Sequence, residues 1–289
     1  MDLVRYPDVA RMLAASGAYL ANREAEHNLP LGVLATLRDH PEVYPEPAYL
    51  AVVRDRAQIA LVAVRTPPHG LILSEPSVEP LPVDEAVEVL VADLAPAAPD
   101  LPTASGPKAT AERFARRWSA VTGRPARLEM AERIYRLSRV LPPPSVPGSW
   151  RLAGERDRAL LGDWLTAFFD EALPPGAPPP PRGTVDRLIR RDGRQAYLWE
   201  AEGRVVSLVV ASARTPNGRR IGPVYTPPGD RRRGYAAALT AAASPDQLDS
   251  GLRFCFLFTD LANPTSNAVY QRIGYEPVAD IDQYRFEAS

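Results

Sequence analysis

The residues with the clearest chemical potential lie in IGPVYTPPGDRRRGYAAALTAAA, residues 221–243. An apolar run ends at Val224, Tyr225 and Thr226, two prolines and Gly229 break it, and Arg231-x-x-Gly234-x-Ala236 leads into an alanine-rich helix. The first amides of a helix lack intrahelical acceptors. Together with the helix dipole they form an anion site suited to a pyrophosphate. Small residues such as Gly234 and Ala236, on either side of Tyr235, leave those amides uncovered. Arg231, Arg232 and Arg233 at the mouth bring charged hydrogen-bond donors. A six-residue pattern alone also fits a surface turn; its place between a strand and a helix favours the anion site.

A second group lies in TDLANPTSNAVYQRIGY, residues 259–275. Asn263 is suited to cap a helix whose first residue is Pro264. Asn263, Ser266 and Tyr270 stand at i, i+3 and i+7, so they share one helical face. The plainer alternative is a capped helix with a buried tyrosine that reaches one partner.

These groups need strands and helices to position them. In the first half, apolar spacing predicts helices over 9–20 and 31–37, and strands over 49–54, 58–65 and 70–74. A helix over 83–94, entered by Pro82, a strand over 101–104 and a helix over 110–121 ended by Gly123 follow, then two closing strands, 127–130 and 133–137. The second half repeats the order: strand 150–153, helices 157–169 and 185–191, strands 195–201, 205–213 and 220–226, helix 234–243, strand 254–259, helix 264–272 and a closing stretch 277–286. This order implies an α/β (α+β) fold with a largely antiparallel sheet, duplicated in tandem. Tyr135-Arg136-Leu137 and Tyr284-Arg285-Phe286 match in type at the two ends. LPPPSVPGS, residues 141–149, reads as a stiff linker, giving expected domains 1–140 and 150–289.

Composition bounds the function. At 289 residues the chain is long enough for two domains. Its 45% hydrophobic and 24% charged residues are those of a globular protein. A formal charge of −1, with neither half more than one charge basic, argues against a nucleic-acid partner. The apolar runs are strand length, so no membrane partner is expected, and the opening MDLVRYPDVA does not read as a secretory leader. A lone cysteine, Cys255, excludes an internal disulfide and points to a cytoplasmic setting. Cys255 lies in apolar FCFLF, where a buried small hydrophobe is expected rather than a nucleophile. Lys108 is the only lysine, so arginine identity by itself carries little meaning in this chain.

Taken in order, strand, Arg-x-x-Gly-x-Ala, helix, strand, Asn-x-x-Ser-x-x-x-Tyr-x-x-Ile-Gly-Tyr resembles the GCN5-related N-acetyltransferase (GNAT) superfamily. The resemblance covers residues 150–289 and implies two tandem GNAT-like domains, the first a degenerate copy, each with a mixed, mostly antiparallel sheet flanked by helices. It implies acetyl-CoA as co-substrate, with no metal. Backbone groups of Val224, Tyr225 and Thr226 would pair with the pantetheine arm. The segment Arg231, Arg232, Arg233, Gly234, Tyr235 and Ala236 would cradle the pyrophosphate, with Asn263 and Asn267 contacting the cofactor from the facing helix. Tyr270 would protonate the departing thiolate. Ser266 departs from the usual alanine, and no acidic residue precedes the first motif on its strand, where Arg219, Arg220 and Ile221 stand. The base therefore stays open among Asp260, Glu200 and a water chain. His27, His40 and His69 all lie in the first half.

The first half lacks the phosphate turn in SEPSVEPLPVDEAV, residues 74–87, and Ser119 stands where Tyr270 does in the second. It is expected to bind no acetyl-CoA. LPPGAPPPPR, residues 173–182, is expected to be a loop over the acceptor cleft. The expected function is N-acyl transfer to a primary amine of a small molecule or peptide, by a monomer or homodimer. A non-catalytic CoA-binding sensor or scaffold is the alternative.

Overall fold

The structure, a computed structural model, describes residues 1–76 and 83–287. The chain divides into two compact units, Met1–Arg133 with Ala279–Ser289, and Ile134–Val278.

The first stretch runs β1 (Asp2–Arg5), α1 (Val9–Asn22), α2 (Asn28–Asp39), β2 (Tyr49–Asp55), β3 (Gln58–Arg65), β4 (Leu71–Leu73), α3 (Val83–Ala97), β5 (Thr103–Pro107), α4 (Lys108–Thr122) and β6 (Ala126–Leu137). The second runs β7 (Ser149–Leu152), α5 (Arg158–Ala172), α6 (Thr184–Arg190), β8 (Gln195–Ala201), β9 (Arg204–Arg214), β10 (Gly218–Tyr225), α7 (Tyr235–Asp249), β11 (Phe254–Asp260), α8 (Pro264–Ile273) and β12 (Glu276–Phe286). The repeated order is α/β, and most pairings are antiparallel; β4–β5 and β10–β11 are parallel.

Each unit is a sheet with helices on both faces. In the first, with strand order β1-β2-β3-β4-β5-β12-β6, alternate residues of β2 and β3 face opposite ways. Val52, Val62 and Val64 meet Met12, Leu20 and Leu34 of α1 and α2. Ala51, Val53 and Leu61 meet Leu90 of α3 and Phe114 and Trp118 of α4. In the second, with order β6-β11-β10-β9-β8-β7, Leu198, Leu208 and Val210 face Leu161 and Leu165 of α5. Tyr197, Val209 and Ile221 face Leu239 of α7 and Ile273 of α8. Period-two alternation in the strands against helical stripes produces this two-sided burial.

Several boundaries differ from expectation. The unit division does not fall at residues 141–149. The chain passes between units inside β6, after Arg133, and β12 returns to the first unit from Ala279 onward. The proline-rich segment therefore lies wholly within the second unit, and it is a strap along α7. Leu141 N–H donates to Ile273 O at 2.7 Å, and Trp199 Nε1–H donates to Pro147 O at 2.9 Å. The two expected closing strands are one, β6, because the strand runs on through Ala131 and Glu132, with Tyr135 and Leu137 on its core face. Helix α7 runs through Pro245 to Asp249 because Ala243, Ser244 and Gln247 remain buried on its inner face, so packing outweighs the lost amide. Pro82, and residues 77–82 of the stretch expected to lack a phosphate turn, lie outside the described residues.

The parallel pair of the first unit is closed. Leu71 and Ile72 pair with Ala104 and Ser105. A Cβ on Gly70 would lie 2.4 Å from Thr103 O, and one on Gly106 would lie 2.8 Å from Leu73 Cβ. Just beyond β4, Glu75 N–H donates to His27 Nε2 at 3.0 Å, and Tyr19 Oη–H donates to Glu75 O. His27 Nδ1 lies 3.0 Å from Leu20 O, so this neutral ring carries its proton on Nδ1.

Two outcomes follow. Gly70→Ala should destabilise the protein by about 1–3 kcal/mol in chemical denaturation, since its methyl group meets backbone. Burial lowers the pKa of His27, so the unfolded chain takes up its proton first as pH falls. Stability contributed by the neutral ring is complete above about pH 6.5 and is lost as pH falls through the folded-state pKa. Thermal melts at pH 7 and 5 should show this fall, and His27→Gln should flatten it.

Candidate active site

The second unit treats its parallel pair differently. Residues 218–220 of β10 pair with residues 254–256 of β11. Beyond Arg220 and Phe256 the strands continue to Tyr225 and Asp260 without further pairing to each other among the described residues. The cause lies in the register with β9. Ile221 pairs with Ala211 but Val224 pairs with Val209, so β10 carries one extra residue at Gly222-Pro223. Such a bulge bends its strand. Beyond the bulge Val224 and Tyr225 keep their β9 partners while the β11 side of the strand has none among the described residues. Buried Ser207 fixes the β9 side, its Oγ–H 3.2 Å from Tyr225 O and its oxygen 2.9 Å from Thr226 Oγ1.

The phosphate-type turn follows directly. Gly234 adopts φ 85°, the left-handed region that favours glycine, and a Cβ there would lie 2.9 Å from Val146 Cγ1 of the strap. The bond from Ala238 N–H to Gly234 O, at 3.0 Å, comes first in α7, so the amides of Tyr235, Ala236 and Ala237 precede any intrahelical bond. Tyr235 buries its ring in the core, which leaves its backbone amide as its only group for an anion. The turn is held from below by Asp230, which is buried and accepts from both terminal nitrogens of Arg204 at 2.6 Å. Those hydrogen bonds hold the Asp230 carboxyl below the usual range.

The three arginines are not equivalent. Arg231 Nε–H donates to Thr226 O at 2.8 Å, its guanidinium pairs with Glu171 of α5, and it lies 5.9 Å from the centre of the Tyr225 ring. Arg232, at φ 62°, makes no hydrogen bond or ion pair among the described residues. Arg233 reaches Asp230 only at 3.9 Å. Arg232 and Arg233 are therefore the side chains available to a bound anion.

On α8, Asn263 caps the helix by accepting from Ser266 N–H at 3.1 Å, with Pro264 at the first helical position. Asn267 is internally committed. Its oxygen accepts from Thr259 Oγ1–H at 2.6 Å and Tyr135 Oη–H at 2.9 Å, and its amide donates to Asp260 O at 3.0 Å and Asn263 O at 2.8 Å. All four of its hydrogen-bonding positions are filled, so it shapes the β11–α8 corner instead of offering a side-chain contact. Tyr270 is half-buried, packs edge-on to Tyr275 at 6.0 Å and makes no hydrogen bond through its hydroxyl among the described residues. Burial pushes its phenol up to about 12, so it holds its proton at neutral pH.

The acids separate as well. Glu200 is tied to Arg151 at 2.8 Å and lies within 3.5 Å of Arg156, at the edge of β8. Asp260, at the end of β11, caps Ala262 N–H at 2.8 Å. Sequence reading missed Glu171, which accepts from Tyr225 Oη–H at 3.2 Å as well as pairing with Arg231. Its one signal is an adverse position: Asp170 and Glu171 stand in the last turn of a helix with no basic residue there. Cys255 is buried, and burial pushes its thiol up to about 12. Among the described residues no group of three or more His, Cys, Asp or Glu could hold a metal, and no helix is long and apolar enough to cross a membrane.

Asn267→Ala should cost about 2 kcal/mol, since it strands two hydroxyls and two carbonyls at one corner. Urea denaturation measures this, and a cost below about 0.5 kcal/mol would contradict the hub role.

Residues 159–275 match the family model of the acetyltransferase (GNAT) family. No curated protein sequence matches the chain. Among solved structures, a GCN5-related N-acetyltransferase from Kribbella flavida is similar at 20% identity, over 80% of this chain and 88% of that one, with a TM-score of 0.55. A tandem GNAT protein from the clavulanic acid biosynthesis pathway is similar at 15% identity, over 100% and 99%, with a TM-score of 0.58. A Drosophila protein is similar at 14% identity, over 99% and 98%, with a TM-score of 0.70. The second unit thus carries a match to the acetyltransferase (GNAT) family, and the whole chain has the fold of a tandem GNAT protein.

Proposed function

We propose that the second unit is an N-acyltransferase that moves an acetyl group from acetyl-CoA to a primary amine of a small molecule or peptide. The observation that carries this reading is the wedge between β10 and β11, flanked by the uncovered amides of α7 and the unpartnered hydroxyl of Tyr270. In this reading the main chain at Val224, without a β11 partner, pairs with an amide-bearing arm. The amides of residues 235–237 precede the first intrahelical bond of α7, with Arg232 and Arg233 beside them, and this donor set fits a diphosphate.

Acetyl-CoA supplies the acyl thioester. The amine nitrogen bonds to its carbonyl carbon, the carbon–sulfur bond breaks, and the sulfur takes up a proton. A backbone N–H around Val224 polarises the carbonyl oxygen. Tyr270, protonated across the working pH range, supplies the proton to sulfur. The acceptor amine loses its proton to water or to a carboxylate at the wedge mouth. Asp260 stands at the end of β11, whereas Glu200 is held in its arginine cluster.

The first unit, in this reading, is a degenerate copy that takes no acetyl-CoA. Its β4–β5 pair stays closed, and both main-chain groups of Glu75 are already paired with His27 and Tyr19. The lone buried thiol accords with a cytoplasmic setting.

Calorimetric titration with acetyl-CoA should give one site per chain; two sites would overturn the assignment of the first unit. CoA release over a panel of primary amines should show turnover. Tyr270→Phe should lower kcat by about 10²-fold or more with acetyl-CoA affinity retained. Binding without release from any amine would favour a CoA-binding sensor, and unchanged turnover in Tyr270→Phe at every pH would remove the general-acid role.

A further inference from the structure

Glu171 and Arg231 are 60 positions apart and meet at the mouth of the site. Glu171 belongs to the last turn of α5, just before the proline-rich loop 174–181, and Arg231 opens the turn that precedes α7. Their pairing forms a closed circuit. Tyr225 Oη–H donates to one oxygen of Glu171, Arg231 pairs with the other, and Arg231 Nε–H returns to Thr226 O.

Three features indicate that this circuit does more than hold the fold. Both side chains of the ion pair are 43% exposed, and pairs at that exposure add little stability. The turn is already anchored by the buried Asp230–Arg204 pair, so it keeps its shape without Glu171. A carboxylate at the C-terminal end of a helix is opposed by the dipole, and Glu171 has Asp170 beside it. Glu171 thus stands at an unfavourable place for α5 and within reach of the one arginine of the turn that is fully engaged.

We propose that Glu171 is a latch on the anion site. It holds the Arg231 guanidinium and neutralises it until an anionic diphosphate draws that charge away. The exchange then frees the Glu171 carboxylate beside Tyr225, on the α5 side of the sheet, for the ammonium group of an acceptor. Glu171 thus acts first on Arg231 and then on the acceptor itself. The inference rests on the reading of the second unit as an acyl-CoA site.

The test is calorimetric titration of the full-length chain with CoA, and separately with inorganic pyrophosphate, for the native sequence, Glu171→Gln, Arg231→Gln and the double variant. Removing the latch should tighten CoA binding about threefold in Glu171→Gln, the scale of an exposed ion pair. That gain should vanish when Glu171→Gln is made on the Arg231→Gln background, and pyrophosphate should follow the same ranking. Glu171→Asp, which keeps the charge but shortens its reach, should also bind more tightly than the native chain. Native-like far-UV circular dichroism for each variant establishes that they fold. Equal or weaker CoA binding by Glu171→Gln, or a gain that persists without Arg231, would overturn the latch and leave the acyl-CoA reading intact. A native chain and variants that all fail to bind CoA would overturn that reading, and the latch with it.

Discussion

A parallel pair of strands that must separate partway along its length governs the architecture of the second unit. Pairing between β10 and β11 ends at Arg220 and Phe256, and the extra residue at Gly222-Pro223 turns β10 aside. Main-chain donors and acceptors in a sheet are rarely left unpaired, because losing a ladder bond without replacement is costly. The neighbouring structure confines that cost to a short stretch. Ser207 takes the Tyr225 carbonyl, Asn267 ties the end of β11 to α8, and the strap fixes the outside of α7 beside Gly234. What remains is a stretch of β10 beyond Arg220 with no β11 partner among the described residues, followed by the N-terminus of α7.

The first unit is a natural control for that arrangement. It has the same order of strands and helices and the same parallel pair, but Gly70 and Gly106 let β4 and β5 approach fully, and a histidine and a tyrosine absorb the polar groups just beyond. Topology alone therefore does not part the two strands. The difference lies in one bulge and in which side chains reach the strand ends, a distinction between two copies of one fold that hydrophobic patterning does not record.

Much of the candidate site's local structure was legible because its signals are local. A left-handed glycine before an alanine-rich helix, an asparagine cap ahead of a proline, and glycines that close α4 and α8 are each settled within a few residues. The features that escaped are set by distant partners. Glu171 acquires its meaning from Arg231 and Tyr225, and Asn267 from Tyr135, far along the chain. Residues 141–149 have the composition of a linker, yet the chain had already changed units within β6, where the strand continued without a break. The extension of α7 past Pro245 was decided by buried residues on its inner face and not by local preference.

The return of β12 to the first unit has a consequence for the order in which the molecule can be made. Residues from Ala279 onward supply a strand between β5 and β6 of the first sheet, and they are synthesised after the whole of the second unit. Domains made earlier on the ribosome usually finish folding first. Here the earlier unit has a strand vacancy until the later one has been translated in full, with Phe286 still absent from the cluster of Phe114 and Trp118. The site-bearing unit, contiguous from Ile134 to Val278, is complete before its predecessor, so the order of completion runs opposite to the order of the sequence.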